Sequence, residues 1–122
     1  MSVPSDPVSD LIFKIENASV WNAAERAGVY EGSQLDKADG FIHFSSAEQS
    51  RETFEKHFAG QTNLVLIAVR TADLGDALKW ETSRGGALFP HLYGTLFMDA
   101  VEGKRALPDG GGFISVPEWG IV

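Results

Sequence analysis

The sequence predicts an α+β fold: a strongly curved, mostly antiparallel split sheet with two early helices. Three observations carry that expectation. Two stretches with helical spacing, from Asn17 to Gly28 and from Ala47 to about Phe58, fall in the first half of the chain. The run Leu64-Val65-Leu66-Ile67-Ala68-Val69 is apolar throughout and β-branched at alternate places, which suits a central strand buried on both faces. Beyond it come short strand-like pieces divided by glycine-bearing loops.

The elements follow in order. Residues 1–10 are polar, hold Pro4 and Pro7, and read as a flexible N-terminal arm; residues 11–122 read as a single α+β domain. Leu11 to Ile15 is a short buried strand. Asn17 or Ser19 caps a helix with Val20, Trp21, Ala24 and Ala27 on one face, and Gly28 closes it. Val29 to Asp39 is expected to be mostly loop, anchored by Tyr30 and Leu35. Gly40 to Ser46 alternates small or polar with apolar side chains, as a strand does. Ser45 and Ser46 stand three residues before Glu48 and Gln49, a capping-box spacing that starts the second helix. Ala47, Phe54 and Phe58 form its apolar stripe, Glu52 and Lys56 pair on the wet side, and Gly60 closes it. After the central strand come a turn at Thr71–Gly75, a strand at Leu78–Glu81 and a flexible loop at Ser83–Gly86. Leu96–Val101 and Phe113–Val116 read as strands on either side of a Pro108–Gly112 loop.

A chain of 122 residues with 43% hydrophobic and 22% charged residues can bury a core without staples. It has no cysteine, which excludes disulfides, thiolate catalysis and a thiolate zinc site. The N-terminal residues lack the basic and apolar regions of a signal peptide, and no apolar run reaches membrane-spanning length, so a cytoplasmic protein without membrane contact is expected. The net charge is −7 and the ten Lys and Arg are scattered, which argues against general nucleic-acid binding. Any anion site must therefore be built locally.

Two segments carry the chemistry. His43 and His91 are each embedded in apolar residues and followed two places later by a hydroxyl, Ser45 and Tyr93. His57 lies in a charged neighbourhood and reads as a surface residue. Residues two apart on a strand share a face, so His43, Ser45 and the helix N-terminus after Ser46 should converge where backbone N–H groups can meet an anion. Pro90 stiffens the backbone before His91. Trp80-Glu81 precedes a glycine loop; the carboxylate suits a general base or a hydroxyl acceptor, and equally a surface ion pair with Arg84. The two histidines could hold a metal with Glu81 or Asp39, but their spacing matches no metal motif. Ser45 is not on a nucleophile elbow, which counts against a Ser-His-Asp hydrolase.

The segment Gly40-Phe41-Ile42-His43-Phe44-Ser45-Ser46, Gly60-Gln61-Thr62 before the apolar strand, and Leu88-Phe89-Pro90-His91-Leu92-Tyr93-Gly94 together resemble a small bacterial family, domain of unknown function 952. The resemblance covers about Ile12 to Val101. It implies a remote relation to the ADP-ribosyltransferase fold, whose split curved sheet holds NAD in a central cleft. On that resemblance Phe13-Lys14-Ile15 lies on the first cleft strand, His43 and Ser45 on the second, and Pro90 to Tyr93 near the third. Transferases usually carry a His or Arg on the first strand and often a Glu on the third, where this chain has Lys14 and His91. The fold alone therefore does not imply the activity.

The expectation is a cleft that binds or transfers a nucleotide or ribose-phosphate ligand. His43, His91 and Glu81 are the candidate catalytic groups, and Lys14, Ser45, Ser46, Trp80 and Tyr93 the candidate ligand-binding ones. Ser45, Ser46 and the helix N-terminus would hold a phosphate, and Trp80 or Tyr93 would stack on a flat ring. The alternatives are a non-catalytic ligand-sensing or protein-interaction module and a metal-dependent hydrolase. No cofactor is specified by the residues.

Overall fold

The structure, a computed structural model, describes residues 10–109 and 112–122. The arm expected over residues 1–10 therefore lies outside the described residues, except for Asp10. The elements are β1 (Leu11–Asn17), α1 (Ala18–Ala27), β2 (Val29–Tyr30), α2 (Gln34–Asp39), β3 (Ile42–His43), α3 (Ala47–His57), β4 (Leu64–Arg70), β5 (Leu78–Thr82), β6 (Leu88–Leu92), β7 (Leu96–Phe97) and β8 (Val101–Ala106). The class is α+β, and every strand pairing among the described residues is antiparallel.

The sheet is split into three pieces, ordered β1-β4-β8, β3-β6-β5 and the small pair β2-β7. The two larger pieces meet at one point. There Phe13 N donates to Ser45 O (2.8 Å) and Ser45 N donates to Phe13 O (2.9 Å). The chain that leaves β3 thus docks on the outer edge of β1 before it enters α3.

Alternation along β1 and β4 feeds two cores, one on each face. Ile12, Val65, Ile67 and Val69 pack with Trp21 of α1, Tyr30, and Ile42, Phe44 and Leu92 of the second sheet. Phe13, Ile15, Leu64, Leu66 and Ala68 pack with Phe54 of α3, Val116 and Trp119. β4 is accordingly buried on both faces along its apolar run, as its composition predicts. Asn17 caps α1 by accepting from Ser19 N and Val20 N, and Gly28 closes it at φ 85°. Of the face predicted for α1, Trp21 is buried and Ala24 half-buried, while Val20 and Ala27 are exposed because a ten-residue helix over a sheet edge buries only a narrow stripe.

Several boundaries differ from expectation. Val29–Asp39 is not mostly loop: β2 pairs with β7, and α2 is a third helix. α2 has its own capping box, in which Ser33 Oγ accepts from Asp36 N and Asp36 Oδ2 accepts from Ser33 N. A six-residue helix with little apolar periodicity gives no helical signal, and Leu35, expected as an anchor, is 62% exposed. Within Gly40–Ser46 only Ile42 and His43 are a regular strand. Leu96–Val101 is broken by a tight turn at Met98–Ala100, which moves the chain from the β2 pair to the β4 edge. Phe113–Val116 is not a strand; only the bridge between Val116 and Ile121 forms. α3 closes at Phe58 rather than Gly60.

Candidate functional site

The antiparallel register places His43 opposite His91 and Lys79 opposite His91. Because side chains alternate, one face of the β3-β6-β5 sheet carries His43, Lys79, Glu81, His91 and, just past the strand end, Tyr93. Ile42, Phe44, Leu78 and Leu92 point the other way, into the core. The imidazoles of His43 and His91 lie 5.5 Å apart, edge to face. The ring of Phe41 sits against both, with centroids at 4.6 Å from His43 and 4.1 Å from His91, and reaches Tyr93 at 5.1 Å.

Each histidine is oriented by a carboxylate, in a different manner. His91 is 5% exposed, and its Nδ1 lies 2.8 Å from Glu81 Oε1. The same oxygen accepts the Tyr93 hydroxyl at 2.7 Å. These two hydrogen bonds hold the Glu81 carboxyl below its usual range and raise the Tyr93 phenol above its own. An ionised carboxylate only accepts, so Nδ1 carries a proton, and in the neutral ring Nε2 presents the lone pair. Among the described residues, no hydrogen-bond partner is found for Nε2.

His43 is held at both ends. Its Nδ1 lies 2.5 Å from Asp36 Oδ1 and its Nε2 3.0 Å from Asp39 Oδ2. Both contacts are hydrogen bonds at once only in the doubly protonated ring. Asp36, 2% exposed, also accepts from Lys14 Nζ at 2.8 Å, Ser33 N at 2.8 Å and His43 N at 3.1 Å. Burial works to raise its carboxyl. The hydrogen bond from His43 and the charge and hydrogen bond of Lys14 outweigh burial and hold it well below the carboxylate range. Burial lowers the Lys14 ammonium, against the pull of Asp36. Behind this pair, Tyr30 donates a short hydrogen bond to Glu16; burial first, then that bond, raises its phenol far above the ordinary value.

The structure brings together His43, His91, Glu81, Tyr93 and Lys14, and leaves three predicted residues outside. Ser45 Oγ is bonded to Thr53 Oγ1 at 2.8 Å inside the fold, because the chain swings onto β1 after Phe44. Ser46 caps α3 in a closed box, accepting from Gln49 N at 3.2 Å while Gln49 Oε1 accepts from Ser46 N at 3.0 Å. That box uses the N–H groups of Ser46 and Gln49, and Glu48 adds a negative charge to the first turn, which disfavours an anion there. Trp80 pairs with Pro90 on the opposite face from Glu81, as neighbours on a strand must. Lys14 is present but spent on Asp36 and on the His43 carbonyl at 2.9 Å. Arg84, the alternative partner for Glu81, has its side chain outside the described residues. His57 is exposed at the end of α3. Sequence reasoning missed Asp36 and Phe41. The Ser33-x-x-Asp36 spacing and the position of Phe41 two before His43 were the available signals. A cavity of about 210 Å³ adjoins the site, lined by Asp36, Lys37, Phe41, Gly94 and Thr95 among others.

The profile of a family described as "Protein of unknown function (DUF952)" matches residues 15–104. The crystal structure of protein CC0527 from Caulobacter crescentus is similar, with 52% identity, a TM-score of 0.80, and coverage of 84% of this chain and 91% of that one. The solution structure of CC0527 has 51% identity and a TM-score of 0.73, with coverage of 84% and 90%. No curated protein matches the chain. Among the described residues, no helix is long and apolar enough to cross a membrane.

Proposed function

The chain belongs to the DUF952 family, and from its own geometry we propose that it binds a small hydroxyl-bearing ligand whose proton His91 takes or gives. The observation that carries this reading is the shared oxygen Glu81 Oε1, which accepts from His91 Nδ1 and from Tyr93. It fixes the neutral ring in one tautomer and leaves Nε2 as the proton acceptor, the arrangement that a general base needs. His43, clamped between Asp36 and Asp39, has no free nitrogen and serves as a fixed neighbour that shapes the His91 pocket.

The ligand class we propose is a mononucleotide or ribose phosphate, bound or transferred. Phe41 and the half-exposed Tyr93 offer ring faces to a flat base. Lys79, exposed on the same face beside Glu81, is the cation available to a phosphate in place of Ser45 and Ser46. We also propose that the split sheet is of the ADP-ribosyltransferase kind; the seam between Phe13 and Ser45 supports that reading. The metal-dependent alternative loses support. Among the described residues no group of three or more His, Cys, Asp or Glu side chains is placed to hold a metal.

Titrating the protein with adenosine monophosphate, ribose 5-phosphate and NAD, followed by proton–nitrogen NMR, tests the reading. Expected are shifts at His91 and Phe41 with a monophosphate, and binding weaker by about tenfold in His91→Ala, as loss of one good hydrogen bond implies. Unmoved His91 and Phe41 resonances with every ligand would refute it and favour the non-catalytic module.

A further inference from the structure

We propose that the free edge of β5 pairs with β5 of a second copy of this chain, antiparallel and centred on Trp80. β5 ends its sheet, and among the described residues no strand pairs with its outer side. Trp80 is 45% and Leu88 53% exposed. Thr82 pairs with Leu88 and Trp80 with Pro90, so Trp80 and Leu88 share the face turned away from His91. This edge has no proline and no bulge, whereas the other long edge, β8, has a register break opposite Ala68 and Val69. The charges on β5, Lys79 and Glu81, oppose pairing in every register that sets like against like, as Lys104 and Arg105 do on β8.

Backbone direction selects the partner register. Tyr93 N donates to Ala77 O at 2.8 Å and Ser83 N donates to Ala87 O at 2.9 Å. With Lys79 opposite His91, this alternation turns the polar groups of residues 77, 79, 81 and 83 toward β6. Those of Leu78, Trp80 and Thr82 face outward. An antiparallel partner must bond to these three.

Charge then chooses among the registers that satisfy the backbone. Centring on Trp80 sets Trp80 against Trp80 of the second copy and Leu78 against Thr82. It also sets Lys79 against Glu81, in the non-hydrogen-bonded positions where side chains come closest. Centring on Lys79 or on Glu81 instead sets that charge against itself. The sequence Leu78-Lys79-Trp80-Glu81-Thr82 is therefore self-complementary in one register, as a two-fold interface requires. The pairing covers the exposed indole and places Lys79 of the second copy beside the carboxylate that orients His91.

This inference stands apart from the reading of His91 and is tested by association alone. Sedimentation velocity from ~10 µM to ~1 mM should show a reversible dimer, with amide exchange at Leu78, Trp80 and Thr82 slowing as concentration rises. Lys79→Glu alone and Glu81→Lys alone should each weaken association by about tenfold or more, because like charges then face each other twice across the two-fold axis. An equimolar mixture of the two variants should associate again, since each supplies the charge that the other lacks. Trp80→Ser should also abolish the dimer. Thermal unfolding of each variant shows whether its fold is intact, and the wild-type exchange measurement needs no variant. A wild type monomeric throughout, a dimer that ignores both charge reversals, or a mixture that fails to associate overturns the proposal.

Discussion

Asp36 accepts from Lys14, Ser33 and His43, so removing its charge leaves a buried ammonium without its bonded carboxylate. Asp36→Ala should cost about 3–5 kcal/mol, the usual result of breaking a buried pair from one side, read from urea unfolding. A loss within about 1 kcal/mol would mean that water reaches Lys14. The pH dependence has a definite sign. The folded-state carboxyl is held well below its ordinary value, so its contribution is present above about pH 4 and is lost as pH falls below it. The stability gap between wild type and Asp36→Asn should therefore narrow between about pH 5 and about pH 2, and an unchanged gap would contradict the assignment. Tyrosine gives a second residue-scale test. The chain has two tyrosines, and both phenols are raised, Tyr30 first by burial and Tyr93 first by its bond to Glu81. Tyrosinate absorbance should thus appear only above the ordinary value of about 10. Glu81→Gln should return one tyrosine toward it and leave the other; an unchanged titration curve would break the Tyr93–Glu81 link.

At the scale of elements, the two adjacent serines before α3 do different work. Ser46 caps the helix, so Ser46→Ala should cost about 0.5–2 kcal/mol and Ser46→Asp should restore most of it. Ser45 is buried with its hydroxyl on Thr53, so a carboxylate there would lose its hydration, and Ser45→Asp should destabilise more than Ser45→Ala. Equal responses of the two positions would show that the cap is misplaced. α2 depends on Gly32, whose φ is 102° and whose missing Cβ would lie 2.7 Å from Asp36 Cβ. Gly32→Ala should therefore disturb the Asp36 carboxylate as well as strain the backbone. Gly40→Ala, at φ 88° with open space around it, should cost only about 1 kcal/mol of backbone strain. Denaturant midpoints of the two variants compare them directly, and a Gly40→Ala loss as large as that of Gly32→Ala would remove the steric account.

For the whole molecule, burial is concentrated on β4, with Leu66, Ile67, Ala68 and Val69 all fully buried between two cores. The β2-β7 pair has two residues on each strand, and β3 is equally short. Native-state hydrogen exchange should find β4 amides opening only with global unfolding, and β2, β3 and β7 amides opening at lower free energy. If β3 exchanged as slowly as β4, the His43 face would be part of the rigid core rather than an attachment to it.

The sequence by itself determined the α+β class, the double burial of β4 and the capped helix after Ser46. Each depends on spacing within a few residues, which local backbone geometry reads directly. It also marked His43 and His91 as unusual, because imidazole among apolar neighbours needs a partner. Tertiary structure alone decided the partners. Asp36 comes from a helix too short and too polar to announce itself, and Phe41 closes over both rings only because β3 and β6 pair in one register. The docking of Ser45 on β1 took it away from His43, whereas Trp80 and Glu81 part by strand alternation alone, which is a local rule. Which side chains meet across strands is set by pairing between distant segments, and no local spacing encodes that.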